Sequence, residues 1–345
     1  MGVQLLKGGL HTTVQDMGRN GYQNSGFSVS GVMDKRSFMI ANILVDNPEN
    51  EAVLEFSMIG PTIKFTSDTI IAITGGNFSP TINGKEVPMY RAIYAHKNDI
   101  LEFKYALSGA FGYIAFSSRL DIPVVMGSRS TNTKCKVGGF HGRKLEKGDE
   151  IWFRSKKRYL PYFLSRKIEP EDFTNEKEEI RVVMGPQENS FSKQGINTFL
   201  NEEYTITSDC DRMGYRLDGE YIAHNEEGAD IISDGIAFGA IQVPQHGKPI
   251  IMLADRQTTG GYTKIATVIS VDIPKLVQRK EGHKIRFKKV SIEEAQNLYL
   301  DELKKYDEIR ASIHHPCREV LDPRLTAKRI RTLFHNNKEG IEKWI

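Results

Sequence analysis

Asp255-Arg256-Gln257-Thr258-Thr259-Gly260-Gly261-Tyr262 packs charge, amide, hydroxyl, phenol and glycine into one short stretch. It follows the apolar run Ile250 to Ala254, which predicts a buried strand. Polar groups clustered where a rigid strand ends are a common way to build a ligand site. Asp255 is a candidate base; Gln257, Thr258 and the backbone amides of Gly260 and Gly261 are candidate donors, with Gln242 just upstream and Tyr262 closing the loop. A polar turn joining two strands accounts for the same residues.

Three other segments carry similar chemistry. Gly9-Leu10-His11-Thr12-Thr13-Val14-Gln15-Asp16-Met17-Gly18-Arg19 holds Gln15, Asp16 and Arg19, which suit a polar, anionic ligand or an Asp16–Arg19 pair that fixes a turn. Ser128-Arg129-Ser130-Thr131 offers hydroxyls and a guanidinium to a carboxylate or phosphate, or forms a structural hydrogen-bond cluster. Cys210-Asp211-Arg212-Met213-Gly214-Tyr215-Arg216 places Asp211, Arg212 and Arg216 where they can pair internally or reach a ligand. The neighbouring aspartates disfavour a thiolate at Cys210, which argues against a nucleophile. The chain has no GxxxxGK[ST] loop, GxSxG elbow or HExxH helix. His314-His315-Pro316-Cys317 is the only tight metal-like cluster, and it reads better as a solvated loop than as a metal site.

The elements that position these residues read as mainly β with peripheral helices, an α+β class. Thr69–Thr74, Thr81–Ile82 and Tyr113–Phe116 are short strand patterns, and Asn83-Gly84 is a strong hairpin signal. Turns precede alternating strands at 99–103, 148–153 and 282–287, as at the edges of a barrel or sandwich. Helices are expected at Asp34–Val45, Gln187–Leu200 and Ser291–Ala311, the last opened by the capping box Ser291-Ile292-Glu293-Glu294. The two prolines and charged run of 161–179 suggest a linker between a β-rich unit at 1–160 and a barrel at 180–290, with a helix and polar tail at 291–345.

With 345 residues, 39% of them hydrophobic, the chain can bury a sizeable core. A net charge of +3 gives no argument for a nucleic-acid or membrane partner. No apolar stretch approaches the length of about 20 residues needed to span a bilayer. No secretory pattern is visible, and three widely spaced cysteines make no disulfide framework, so a cytoplasmic setting is expected.

Taken in order, the segments at 9–16, 18–23, 30–34, 127–131, 211–214, 239–244 and 255–262 resemble the biotin-dependent carboxyltransferase-like family called allophanate hydrolase subunit 2. That family includes the Kip antagonist, the C-type component of 5-oxoprolinase and part of urea carboxylase. The resemblance covers roughly residues 1–295 and implies a cyclophilin-like β-barrel. It implies a Kip-inhibitor-like B-type subunit and an A-type 5-oxoprolinase subunit as partners, with a small-molecule substrate. It further implies ATP, with Mg, as co-substrate of the complex, and opening of 5-oxoproline to glutamate. Regulatory binding of the Kip-inhibitor-like protein, or carboxyl transfer in a urea-type carboxylase, are the alternatives. This chain has no Met-Lys biotin-attachment dipeptide, so no biotin is expected on it. On this resemblance Asp255, Gln257, Asp211 and Arg212 are expected to be catalytic. Gln15, Asp16, Arg19, Ser128, Arg129, Ser130, Arg216, Gln242, Thr258, Gly260, Gly261 and Tyr262 are expected to bind substrate or nucleotide. The family pattern has serine at Cys210, Pro-Gly-Asp at Glu281-Gly282-His283 and proline at Thr263, where its loss is expected to relax the loop.

Overall fold

The computed structural model describes residues 1–314. His315, Pro316 and Cys317 of the metal-like cluster lie outside them, as does most of the tail. The first 150 residues build two antiparallel sheets. One has six strands in the order Glu150–Trp152, Gly2–Lys7, Thr62–Phe65, Ile100–Glu102, Thr81–Ile82, Lys85–Glu86. The other has five: His11–Gln15, Val53–Ser57, Ser108–Phe116, Thr69–Asn77, Ala92–Ala95. Asn83 and Gly84 turn the small hairpin with φ of 51° and 77°, the left-handed pair that a two-residue turn needs.

Side-chain alternation explains why the second sheet is apolar on both faces. Ile71, Ile73, Leu54 and Phe56 point at the first sheet. Ile70, Ala72 and Val53 point the other way, into a larger core shared with the barrel. The helix Lys35–Leu44 lies on that second face, nearly every residue buried. Asp34 caps it, accepting from the Ser37 amide at 3.0 Å and the Ser37 hydroxyl at 2.6 Å.

A closed barrel follows, in the order Lys177–Met184, Lys264–Val268, Ala240–Gln242, Ile250–Met252, Gly214–Asp218, Glu203–Cys210, Lys284–Lys289. The last strand closes on the first by a parallel pairing. Closure removes the free edges that an open sheet would expose. The barrel expected from the family resemblance is therefore present. Outside it, Asp230–Gly235 pairs with Thr259–Tyr262 as a two-stranded arm.

Several boundaries differ from the sequence reading. The expected helix over Gln187–Leu200 is a 3-10 turn, Glu188–Ser190, followed by a helix at Lys193–Asn201. Ser192 sets the start, because its hydroxyl accepts from the Gly195 amide at 3.0 Å. The segment at 161–179 is no free tether: Arg166 is buried, its carbonyl accepts from Ala92, and the Ile168 amide donates to Tyr90. The long helix Ile292–His314 buries its polar flank, with Glu302 bonded to Arg36 at 2.5 Å and to the Tyr306 hydroxyl at 2.8 Å. Among the described residues no helix is long and apolar enough to cross a membrane.

Candidate functional site

The predicted site residues fall into three groups. The first is a sealed clamp. Asp16 accepts from the hydroxyls of Ser128 and Ser130, both at 2.6 Å, from the Arg129 amide at 2.6 Å and from Gly18 at 2.9 Å. Arg19 is buried and donates to the carbonyls of Ser130 and Val125, and Arg129 to that of Ile122. Gln15 donates to the Thr13 hydroxyl and the Thr131 carbonyl. No Asp16–Arg19 ion pair forms; each partner is satisfied elsewhere. The clamp pins the 125–132 loop to the strand His11–Gln15; the Asp16 carboxylate and both serine hydroxyls are spent on protein, while Gln15 Oε1 is buried without a partner.

The second group is a buried ion triad. Arg212, on the turn between Glu203–Cys210 and Gly214–Asp218, donates through Nε to Asp255 Oδ2 at 2.8 Å and through Nη2 to Asp255 Oδ1 at 3.3 Å. Nη1 bonds Glu55, and Nη2 reaches the Gly31 carbonyl at 2.6 Å. Burial works against the Arg212 cation, but Asp255 and Glu55 overturn it and raise its pKa. Both oxygens of Asp255 are engaged, so this residue orients the guanidinium. Glu55 in turn accepts from the Met33 amide at 2.7 Å and the Tyr113 hydroxyl at 2.9 Å. Burial raises its carboxyl above the usual range, opposed chiefly by Arg212.

Arg212 and Asp255 of this triad line a cavity of about 710 Å³, with Glu55 behind them. His11 and Lys134 come to it from the sheets, Asp211 and Met213 from the barrel, and Arg279 and Lys280 from beyond the short helix Ile273–Val277. The cavity thus lies where the two halves meet. His11 is held below the ordinary imidazole value by burial and by Arg212 beside it, so it is neutral at pH 7. Cys210 also lines the cavity; burial, more than the neighbouring Asp211, pushes its thiol up to about 11, which keeps it protonated. Asp211 Oδ1 is occupied by the amides of Met213 and Gly214, at 2.8 and 3.2 Å, and so shapes the turn.

The third group lies on the other side of that turn. Arg216, Gln242, Gln257 and Tyr262 line a smaller cavity of about 170 Å³, which shares Asp211 and Met213 with the larger one. Gly260 and Gly261 belong to the strand Thr259–Tyr262 and lack the left-handed φ of an anion-binding loop. The Thr258 carbonyl accepts from the Ile236 amide at 3.1 Å. Thr263 does not loosen the segment: its amide donates to Ala229 at 2.9 Å, a bond proline cannot make, and its hydroxyl lies 3.0 Å from His224 Nε2. The residues expected to form the site therefore divide among a clamp and two adjoining cavities.

Sequence reasoning did not select His11, Glu55, Tyr113, Lys134, Arg279 or Lys280. For Glu55 the available signal was a lone carboxylate inside the apolar strand Val53–Ser57. The cavity's lysines lie in ordinary charged segments and carry no pattern.

Comparison with known proteins agrees with this architecture. The chain is 32% identical to the 5-oxoprolinase C subunit of Escherichia coli over 313 residues, 91% of this chain and 99% of that one. It is 33% identical to the 5-oxoprolinase C subunit of Haemophilus influenzae, over 85% of this chain and 94% of that one. The crystal structure of the K. lactis urea amidolyase superposes with a TM-score of 0.83 at 27% identity, covering 89% of this chain but only 20% of that much longer one. Residues 25–289 match the model of the carboxyltransferase domain, subdomain A and B, and the chain belongs to that family.

Proposed function

We propose that this chain is the C-type subunit of a 5-oxoprolinase, opening 5-oxoproline to glutamate together with A-type and B-type subunits. The observation that carries this reading is the end-to-end match to separate proteins named as the C subunit of 5-oxoprolinase; the urea amidolyase likeness is to a small part of a longer chain. A lactam is a poor electrophile. Transfer of the ATP γ-phosphoryl group to its oxygen would convert that oxygen into a leaving group. Water would then add to the carbon and the C–N bond would break, with its nitrogen taking a proton and an acyl phosphate remaining; a second water would add to that carbonyl and expel phosphate, giving the carboxylate.

The larger cavity supplies cations for an anionic reactant through Lys134 and Lys280, while the Arg279 guanidinium is spent on the Lys275 and Asn175 carbonyls. Neutral His11 on its wall is able to accept a proton from an attacking water. Arg212 holds the floor of the cavity through Glu55 and Asp255. The hydroxyls of Ser128 and Ser130 are consumed by Asp16, and Gly260-Gly261 is paired in a strand, so these residues form no phosphate cradle. In this reading ATP with Mg is the co-substrate of the assembled complex, and the complex works in the cytoplasm.

The test mixes the chain with A-type and B-type subunits and follows glutamate release from 5-oxoproline with ATP. Release that requires all three supports the reading. No release from folded partners, with tight binding to the B-type subunit, points instead to a regulatory antagonist. Carboxyl transfer is the second reading, favoured by the 0.83 superposition on a urea amidolyase. Carboxylation of urea on adding a biotin-carrying carboxylase would select it.

A further inference from the structure

A further concave space, of about 440 Å³, opens beside the larger cavity and shares His11 and Thr133 with it. Lys136, His141, Arg143 and Lys144 form the rest of its polar wall. Among the described residues no carboxylate lines it. The whole chain carries 47 basic and 44 acidic side chains, so a wall with cations alone departs from its average. Arg143 is neutralised, donating through Nη1 and Nη2 to the two oxygens of Asp149 at 2.7 and 2.8 Å. Lys136 and Lys144 have no ion-pair partner among the described residues. A cleft walled by one sign of charge focuses the field and gathers ions of the other sign.

The loop that carries these residues is shaped to bring them together. Gly142 has φ of 66°, and a Cβ there would collide with the Lys136 carbonyl oxygen. Glycine lets the two turns touch, which brings the Lys136 turn up to Arg143 and Lys144. Gly138 and Gly139 seat the same loop on the clamp, since a Cβ would meet the Ser130 carbonyl oxygen at the first and the Thr131 hydroxyl at the second. The Arg143 guanidinium stacks over the Phe140 ring at 5.6 Å.

We infer that this cavity binds phosphate, or a short phosphate chain, between Lys136 and Lys144 with one end toward His11. Two uncommitted ammonium groups suit an anion of two or more charges, and lysine serves phosphate as a point charge. At about 30 Å³ for each water-sized group the space holds about fourteen, which is room for pyrophosphate. The site stands on the cavity, whichever reaction the chain serves. In the 5-oxoprolinase reading it receives the phosphate that leaves the acyl carbon.

The test measures binding of inorganic phosphate, pyrophosphate and ATP by calorimetry at fixed ionic strength, using the full-length chain alone and with its partner subunits. The wild-type chain should bind pyrophosphate saturably. Lys136→Gln and Lys144→Gln should each weaken that binding at least about fivefold, the effect of one unit charge about 4 Å away in water. Both side chains are exposed, so the melting temperature should not move. Lys97→Gln, at an exposed lysine that lines neither cavity, should bind as wild type does. Burial and Arg212 hold the His11 imidazole down, and Lys144 adds to them. Pyrophosphate on Lys144 should therefore raise the His11 titration midpoint seen by NMR, and should not do so in the Lys136→Gln, Lys144→Gln double variant. Displacement of pyrophosphate by ATP names a nucleotide's phosphate chain as the occupant, and binding of phosphate and pyrophosphate without ATP names free phosphate; either sustains the site. Wild-type affinity in the double variant, an equal loss in Lys97→Gln, or no saturable binding of any probe overturns it. Lysine-dependent phosphate binding without glutamate release would overturn the 5-oxoprolinase role and leave this site standing. Glutamate release by a complex whose C-type chain binds none of the probes would do the reverse.

Discussion

Arg212 is the residue on which the site turns, and its surroundings determine what its removal does. Its guanidinium is shared among Asp255, Glu55 and the Gly31 carbonyl, all out of water. Taking away one partner of such a buried group leaves uncompensated charge and costs about 3–5 kcal/mol. Arg212→Ala is therefore expected to destabilise the fold by that amount, read as a shift of the urea midpoint, and to lose activity as a consequence. Asp255→Asn retains the shape and one acceptor and should cost less. Equal stability of Arg212→Ala and wild type would show that the triad does not hold the site. Sequence reading marked both Arg212 and Asp255 as site residues, because both lie in dense polar motifs. It did not find Glu55, whose partner is 157 residues away. It also treated the Asp16, Ser128 and Ser130 hydroxyls and carboxylate as ligand groups, because a sequence does not show that they satisfy one another.

At the scale of elements, helix ends do most of the positioning. Gln278 ends the short helix Ile273–Val277 and reaches across to the sheets: its Oε1 accepts from the Ala110 and Phe111 amides at 2.8 and 3.0 Å, and its Nε2 donates to Asp34 at 2.8 Å. Gln278→Leu would strand two buried amides, and a loss of about 2–6 kcal/mol is expected in chemical denaturation, at roughly 1–3 kcal/mol for each buried unmet donor. A second helix contact is pH-sensitive. Glu171 sits beside Arg36 and Glu302, which join Lys35–Leu44 to Ile292–His314. Burial first, then Asp34, raises its carboxyl from 4.5 to about 7. A folded-state value above the unfolded one means the contribution is full below about pH 4.5 and is lost as pH rises through 7. Between those limits the wild type should lose stability relative to Glu171→Gln, by at most about 1.4 kcal/mol per pH unit. Parallel stability-pH curves for the two proteins would contradict this. The helices at 35–44 and 292–314 were legible from their periodicity and caps. The helix at 193–201 was expected to begin at Gln187; its start is set by the Ser192 cap on the Gly195 amide, and the residues before it form a separate 3-10 turn.

For the whole molecule, the question is whether its two halves fold as one. The first core, between the two sheets, is self-contained. The second is not: Val53, Ile70 and Ala72 of the sheets pack with Ile241, Ile251 and Ile265 of the barrel in one cluster. The class and the barrel were legible in the sequence, since both follow from local alternation and from ordered motifs. This shared core was not, because it depends on which face of the strand Thr69–Asn77 meets the barrel. The polar contacts across the junction include Glu55 with Arg212, Asp34 with Gln278, Arg36 with the Val271 carbonyl at 2.9 Å, Ser28 with the Arg256 carbonyl at 2.7 Å, and Ser30, whose amide donates to Ala254 at 3.1 Å. Common apolar burial and unmet polar groups on separation should couple the halves, so calorimetry is expected to give one unfolding transition with matching van't Hoff and calorimetric enthalpies. Combining Arg212→Ala with Gln278→Leu removes two buried side-chain bridges and leaves packing with the hydrogen bonds of Arg36, Ser28 and Ser30. That double variant should split the transition in two, with the larger cavity lost in the first, because the cavity has walls from both halves. A single transition in the double variant would mean that apolar packing and the remaining hydrogen bonds suffice to couple the halves, and the ion triad would then be retained for the site and not for the fold.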